Sequence, residues 1–395
     1  MADRRPWAAV GPAAAVVALQ LVAFPVPVGV WLQGLVIGLL NALVVLGMML
    51  VYRANRVINL AQASIGTFPS AVAIGVILLG APDARGMAML TVSAGVAVGL
   101  VAALVLEVEP GRSVLIGAVG AAALGLGTEA ASHLGYVGGL GLGLAIAALT
   151  GAGIDAVVVR RFRTSPRLVL TVATIGLAQF FAVWALLVPQ MWHRFQLSDG
   201  AHTAFGVPGD LRFSVGQTVF HGDEVLAVVV TVVAMVVVAQ CLRRTDVGIA
   251  VRAAADRSDR AAMLGVPVPR LEAGVWVVAS VLAFLGTFLQ AAILGLELTP
   301  GVGLRIMVAA LAAMALGGFS TLPATLVSAV AIGILAEATG PAGGHTLTTT
   351  DTVLAVVVLL GLLLRRPSGR RAGRAEVSSW QASVEPRSVP PELAR

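Results

Sequence analysis

The 395 residues contain no lysine; all 26 basic residues are arginine. Without lysine there is neither a G-x-x-x-x-G-K-[ST] phosphate loop nor a Schiff-base amine, so any nucleotide-driven work requires another chain to bind the nucleotide. Cysteine occurs once, at Cys241, which excludes an intramolecular disulfide and a cysteine-based metal cluster. Charged residues make up only 12% of the chain and aromatic residues 5%, too little charge to cover a soluble globular surface of this size. Paired carboxylates, a metal-ligand cluster and a nucleophile-base set are all missing from the apolar stretches, which argues against an intramembrane enzyme.

What fills the sequence instead is apolar. Hydrophobic residues reach 58% and the mean hydropathy is +0.94, the signature of a polytopic membrane protein. Spanning the bilayer core takes roughly 20 apolar residues in a helix. Segments meeting that need lie near 8–24, 29–51, 57–79, 86–106, 113–132, 138–159, 168–188, 223–242, 273–295 and 351–364. The runs are continuous where barrel strands would alternate, so a β-barrel is excluded. Residues 304–338 are interrupted by Gly317-Gly318-Phe319-Ser320-Thr321-Leu322-Pro323, and each half is short for a comfortable crossing. The expected fold is an all-α membrane helical bundle of about ten spans plus a broken-helix, re-entrant hairpin.

With the N-terminus inside, 22 of the 26 arginines fall on the cytoplasmic side; only Arg85, Arg194, Arg212 and Arg305 fall outside. This asymmetry obeys the positive-inside rule and explains the net charge of +6 without any nucleic-acid partner. The expected organisation is an N-terminal segment with the first span at 1–28, a membrane domain at 29–366, and a disordered basic cytoplasmic tail at 367–395. The first apolar segment follows Arg4-Arg5 but lacks a small-x-small site before Pro25-Val26-Pro27, so it reads as a retained span. In the chief external segment, Pro189 to Glu224, His193, His202 and His221 are too irregularly spaced for a metal site.

The most charged connector, residues 243–272, opens Arg243-Arg244-Thr245-Asp246 and ends Arg270-Leu271-Glu272. It reads as a surface helix capped by Asp246 and ended by a left-handed Gly265, with Pro267 blocking continuation. Asp256 and Arg260 stand one turn apart in the favourable order for an ion pair. Ala250, Ala253, Ala254, Ala261 and Leu264 give it a small-residue face suited to close docking of another protein.

Polar residues inside apolar segments must face a cavity or another helix. Asn41, Asn59, Gln62, Ser64 and Thr67 cluster early, and Gln290, Ser320 and Thr321 late. Asn59 and Gln62, one turn apart, are placed to face one pathway. Gly34 with Gly38, and Gly95 with Gly99, have the small-xxx-small spacing of closely packed helices. The hexapeptide Ser70 to Gly75 recurs at Ser328 to Gly333, a hint of two related halves with broken helices near the midplane. Glu129 and His133 are also one turn apart, as a proton-sensitive or interfacial pair would be.

Three segments carry a family resemblance. Gly34 to Gly38 through Asn41-Ala42-Leu43, Gly47 and Tyr52 to Val57-Ile58-Asn59-Leu60-Ala61-Gln62 is the first. Thr245-Asp246-Val247-Gly248 through Arg252-Ala253-Ala254-Ala255-Asp256, Ala261 and Leu264-Gly265-Val266 is the second, and Leu316 to Pro323 the third. With weaker similarity around Arg160 to Gly176, the chain resembles the permease subunits of branched-chain amino-acid ABC importers over most of residues 30–366. The resemblance implies no cofactor. It implies that the loop bearing Asp246, Gly248, Arg252, Ala253, Ala254, Asp256 and Gly265 couples to ABC ATPase subunits, that a second permease subunit completes the pore, and that an extracytoplasmic binding protein delivers substrate. Asn41, Asn59, Gln62, Ser64, Thr67, Ser320 and Thr321 would then line the substrate path in a prokaryotic plasma membrane. Gln62, Ala63 and Ala324 replace the family's His and two Gly, which bears on substrate choice, and residues 80–150 are long for the family, as though a helical hairpin were inserted. The alternatives are an ABC permease for a different cargo, such as urea, an amide or a sugar, and an ion-coupled secondary transporter, which would need a buried carboxylate on the path, for which Glu129, Asp155 and Glu337 are the candidates.

Overall fold

In a computed structural model, residues 6–104, 108–162, 165, 167–192, 211–256, 258–295, 300–319 and 322–364 are described. Among them the chain forms α1 (Pro6–Ala23), α2 (Val28–Asn55), α3 (Gln62–Leu79), α4 (Ala84–Leu104), α5 (Pro110–His133) and α6 (Gly135–Ile154). A wide π turn, Asp155–Val159, prolongs α6, and α7 (Arg167–Leu187) follows. A small hairpin of β1 (Arg212–Val215) and β2 (Thr218–His221) precedes α8 (Gly222–Arg244) and the two short helices α9 (Asp246–Asp256) and α10 (Ser258–Met263). The chain closes with α11 (Val268–Leu294), α12 (Pro300–Gly317), α13 (Leu322–Ala338) and α14 (Leu347–Leu364).

The protein is thus an all-α polytopic membrane bundle, as its composition requires. Eight of the helices are long and apolar enough to cross a bilayer, and four shorter apolar helices lie within α1, α12, α13 and α14. Residues 300–319 and 322–338 form the expected hairpin. Its arms, α12 and α13, have 18 and 17 residues, about 27 and 25 Å at 1.5 Å per residue, close to the ~30 Å of a hydrocarbon core. Neither arm is among the eight helices long and apolar enough to cross, as expected of a broken-helix hairpin. Gly318 and Phe319, both with positive φ (90° and 56°), make its turn.

Successive long helices run in opposite directions, so their ends gather at two poles. One pole joins the 80–83 turn, residues 188–192 and the β hairpin: the Trp192 indole donates to Gly80 O at 3.0 Å and the Asp83 amide to Met191 O at 3.1 Å. The other collects the arginines. There the Tyr52 and Phe319 rings lie 5.5 Å apart, and the Arg160 guanidinium donates to Leu104 O at the end of α4. The Arg305–Asp351 pair, 3.2 Å, sits at the first pole, where α12 and α14 begin.

α2 is the axis of the bundle. It contributes to two buried clusters: one with α3, α6 and α11 around Leu43, Ile74, Trp276 and Phe284, the other with α12 and α13 around Met48, Met314 and Ile332. In its most hydrophobic stretch 89% of residues are buried within the chain, against 17% in α4 and α5 and 11% in α8. The peripheral helices therefore turn apolar side chains outward, a surface that only lipid or another membrane chain can cover.

The glycine pairs pack helices, as their spacing predicts. A Cβ on Gly38 would lie 2.7 Å from the Val330 backbone, and one on Gly333 only 2.2 Å from Gly38 Cα. α2 and α13 thus touch backbone to backbone. Gly95 and Gly99 do the same for α4 against Gly117 and Ser113 of α5. The two copies of the hexapeptide occupy unlike surroundings. Ser70 bonds to Gly66 O and Thr287 Oγ1, both at 2.8 Å, and Gly75 faces the Trp192 ring; the Ser328 hydroxyl has no partner and Gly333 faces Gly38.

Candidate functional site

The predicted span 57–79 is shorter than expected, and the reason lies in its polar residues. Arg56, left-handed at φ 55°, ends α2, and residues 57–61 are not helical. Asn59 therefore stands ahead of α3, where its Oδ1 accepts the Ala61 amide at 3.1 Å. Its Nδ2 donates to Gln62 Oε1 at 2.8 Å, and Gln62 Nε2 donates to Ala279 O of α11 at 2.7 Å. Both side chains are buried, at 0% and 1% exposure. The two amides bond to each other and tie α3 to α11 across the gap left by Gly47, where a Cβ would meet Gln62 Nε2 at 2.4 Å. Thr174 of α7 secures the same segment by accepting the Leu60 amide at 3.2 Å, a contact without a sequence signal.

The other polar residues are placed differently. Asn41 is buried on α2, and its Oδ1 has no partner. Ser64 is buried beside Gly303 of α12, whose Cβ would come within 2.7 Å of its hydroxyl. Thr67 is half-buried and donates to Ser64 O at 2.8 Å. Ser320 and Thr321 lie outside the described residues.

At the arginine-rich pole, the connector folds as two helices rather than one. α8 runs on to Arg244 and α11 starts at Val268, so the connector itself is shorter than 243–272. Thr245, not Asp246, caps α9: its Oγ1 accepts the Gly248 amide at 3.1 Å and donates to Cys241 O at 2.6 Å, leaving Asp246 as the first helical residue. The expected cap, Asp246, is displaced by its neighbour because a threonine hydroxyl reaches the third amide as well as a carboxylate does. Gly265 does end α10 in the left-handed region, at φ 83°. The side chain of Asp256 lies outside the described residues.

The small-residue face is divided. Ala261 is buried, Ala250 and Ala254 are half-buried, and Ala253 is exposed beside Arg252. Gly248 lies flat on Cys241 O and Leu242. What the outer side presents is apolar: Val247 is 57% exposed, Ile249 54%, Met263 86% and Leu264 84%. Exposed apolar side chains on the peripheral spans meet lipid. Here they sit among arginines at the end of the bundle, where lipid does not account for them.

Of the three candidate carboxylates, Glu337 is half-buried on α13 beside Gly34 of α2, and the other two face basic partners. Asp155 is buried and holds Arg160 Nε at 3.2 Å; the π turn sets this spacing, with the Arg160 amide bonding to Asp155 O. Glu129 and His133 are exposed, 4.0 Å apart at the end of α5, an interfacial pair. His221 caps α8 through a reciprocal arrangement in which Glu224 Oε2 accepts its amide at 2.7 Å. His193 and His202 lie outside the described residues.

Long apolar helices around a buried polar centre, with an ordered helical connector on one basic pole, define a multi-pass membrane transport subunit. The family model for the branched-chain amino acid transport system / permease component matches residues 111–364, and the chain belongs to that family. It is 27% identical over 232 residues to the high-affinity branched-chain amino acid transport system permease protein LivH of Escherichia coli (strain K12) and of Salmonella typhimurium, covering 59% of this chain and 72% of each relative. It is 27% identical over 242 residues to the corresponding protein BraD of Pseudomonas aeruginosa, covering 59% of this chain and 73% of the relative. No solved structure matches.

Proposed function

We propose that this chain is the membrane-spanning subunit of an ATP-driven importer for branched-chain or other small amino acids in a prokaryotic plasma membrane. The observation that carries the reading is the apolar surface of α9 and α10 on the arginine-rich pole, in a chain of this family. ABC ATPase subunits cover that surface and supply the nucleotide site that a lysine-free chain lacks. An extracytoplasmic binding protein meets the opposite pole, and a second permease subunit, identical or related, completes the path.

Both termini are then cytoplasmic. In a Cys241→Ser background, Ser198→Cys should react with an impermeant maleimide added to intact cells, and Ser368→Cys only after lysis. Reaction of Ser368→Cys alone in sealed cells would reverse the orientation and remove α9 from the ATPase. Affinity purification of the tagged chain should also retain an ATPase subunit; its absence under mild detergent counts against the importer.

The substrate path in this reading runs beside Asn41, Ser64 and Thr67, continuing toward Ser320 and Thr321, with Asn59 and Gln62 forming its wall. The unpartnered Asn41 Oδ1 is a polar atom held in apolar surroundings with no bond to give up. Asn41→Leu should therefore leave thermal stability unchanged or raised while reducing uptake at least several-fold. Gln62→Leu strands the Asn59 amide and should cost about 1–3 kcal/mol, read as a lower melting temperature in detergent. If Asn41→Leu transports normally, that residue is packing and the path lies elsewhere.

A further inference from the structure

An apolar groove of about 420 Å³ runs along the outside of the bundle between α4, α6 and α7. Trp184, near the end of α7, lies toward the β-hairpin pole, and Leu100 and Val157 flank the end at the arginine-rich pole. Ser93 and Thr150 are the polar side chains along it, and each spends its hydroxyl on its own helix, on Leu90 O at 2.9 Å and Ile146 O at 2.8 Å. With the Trp184 indole as the one further polar group, the lining is almost wholly apolar. On α6 it extends from Ile146 to Val158, about 18 Å of helix, slightly more than half of a ~30 Å hydrocarbon core. That is the depth of one leaflet.

The end of the groove carries positive charge. Arg160 is fixed there, bonded to Asp155 beneath it and to Leu104 O at the end of α4, so that it ties the α6 and α4 walls together. Arg161, next in the chain, is exposed and has no acidic partner among the described residues.

We infer that the groove is a binding site for an anionic phospholipid of the leaflet at the arginine-rich pole, one acyl chain lying between α4, α6 and α7 and the phosphate at Arg161. Length, apolar lining and terminal charge agree on this occupant. The acyl chain fills the apolar volume, and the headgroup phosphate gains a guanidinium donor at the membrane surface. The bound lipid fills the gap between α7 and α4, whose hairpin with α5 packs directly on α6.

The test uses Trp184 as reporter. The full chain, with and without Trp184→Phe, is reconstituted in phosphatidylcholine vesicles containing a minor fraction of either phosphatidylglycerol or phosphatidylcholine brominated on its acyl chains. The Trp184-dependent fluorescence should be quenched more by the brominated phosphatidylglycerol. Gly153→Phe projects into the groove, where only Ala97 lies as near as 4.0 Å to a new Cβ, and should abolish the Trp184-dependent quenching difference without unfolding the chain. Arg161→Gln should leave quenching by both lipids but make them equal. Equal quenching in the unmodified protein would overturn the proposal and leave ordinary boundary lipid. So would a cross-link from Ala97→Cys to the same position of a second copy, which would give the groove to a protein partner.

Discussion

Gly38→Leu should disrupt the bundle more than any other single substitution considered. At this position α2 and α13 touch backbone to backbone, with the Val330 Cα and carbonyl 2.7 Å from where a Cβ would stand. No side chain can move aside, so the helices must separate, and α2 is the helix on which both buried clusters depend. Forced overpacking of this kind costs about 1–3 kcal/mol and sometimes more, and the separation opens voids on either side of the contact. Gly333→Leu should do the same from the opposite face. Gly141→Leu is the control: it adds an identical side chain to a helix where nothing lies within 4 Å. The expected result is a lower melting temperature and a loss of monodisperse protein for Gly38→Leu and Gly333→Leu, with Gly141→Leu close to the parent. Were Gly38→Leu to behave like Gly141→Leu, the close approach of α2 and α13 would be wrong.

That contact was legible in the sequence because close helix packing leaves a trace in composition: small residues four apart in an otherwise bulky apolar run. The span boundaries were legible for the same kind of reason, since the bilayer imposes a length and a hydropathy on each helix. Where the reading failed, the deciding interaction was local and polar. Asn59 and Gln62 look like two residues of one helix, three apart, and only the left-handed Arg56 and the Asn59–Ala61 bond reveal that α3 starts at Gln62. Asp246 and Thr245 are both good caps, and the choice between them rests on the Gly248 amide. The Asp155–Arg160 pair spans five residues, a separation that an ordinary helix does not bring together; the π turn does, and sequence gives no sign of it. The hairpin at α12 and α13 was legible because Gly317-Gly318 interrupts the apolar run and leaves two arms short for a crossing. At the candidate site, the residue types were visible from the sequence. Which of them were already satisfied was not: Asn59 and Thr67 bond within three residues, Gln62 reaches Ala279 O 217 residues away, and Asn41 Oδ1 has no partner.

The coupling prediction follows from the exposed side of α9 and α10. Arg252 and Ala253 are exposed, as are Ile249, Met263 and Leu264, whereas Gly248 and Ala261 face inward and fix the helices to α8 and α11. Arg252→Glu and Ala253→Trp alter only the outer side. Neither removes a buried contact, so expression, membrane insertion and melting temperature should stay within the range of ordinary surface changes, about 0.5 kcal/mol. Against a docked ATPase the same changes introduce charge reversal or steric conflict of roughly 3 kcal/mol, equivalent to about a hundredfold weaker association. Uptake in whole cells should fall to near background for both variants. The ATPase should either be lost on purification or hydrolyse ATP at a rate that no longer responds to substrate-loaded binding protein. Leu264→Asp should reproduce the defect from α10, since it removes an 84%-exposed apolar contact without touching the bundle. Gly248→Leu is the contrasting case: its Cβ would meet Cys241 O at 2.3 Å, so it should displace α9 and lower stability as well as uptake. If Arg252→Glu, Ala253→Trp and Leu264→Asp all transport at the parental rate, α9 and α10 are a connector, and the apolar surface on the arginine-rich pole requires another partner.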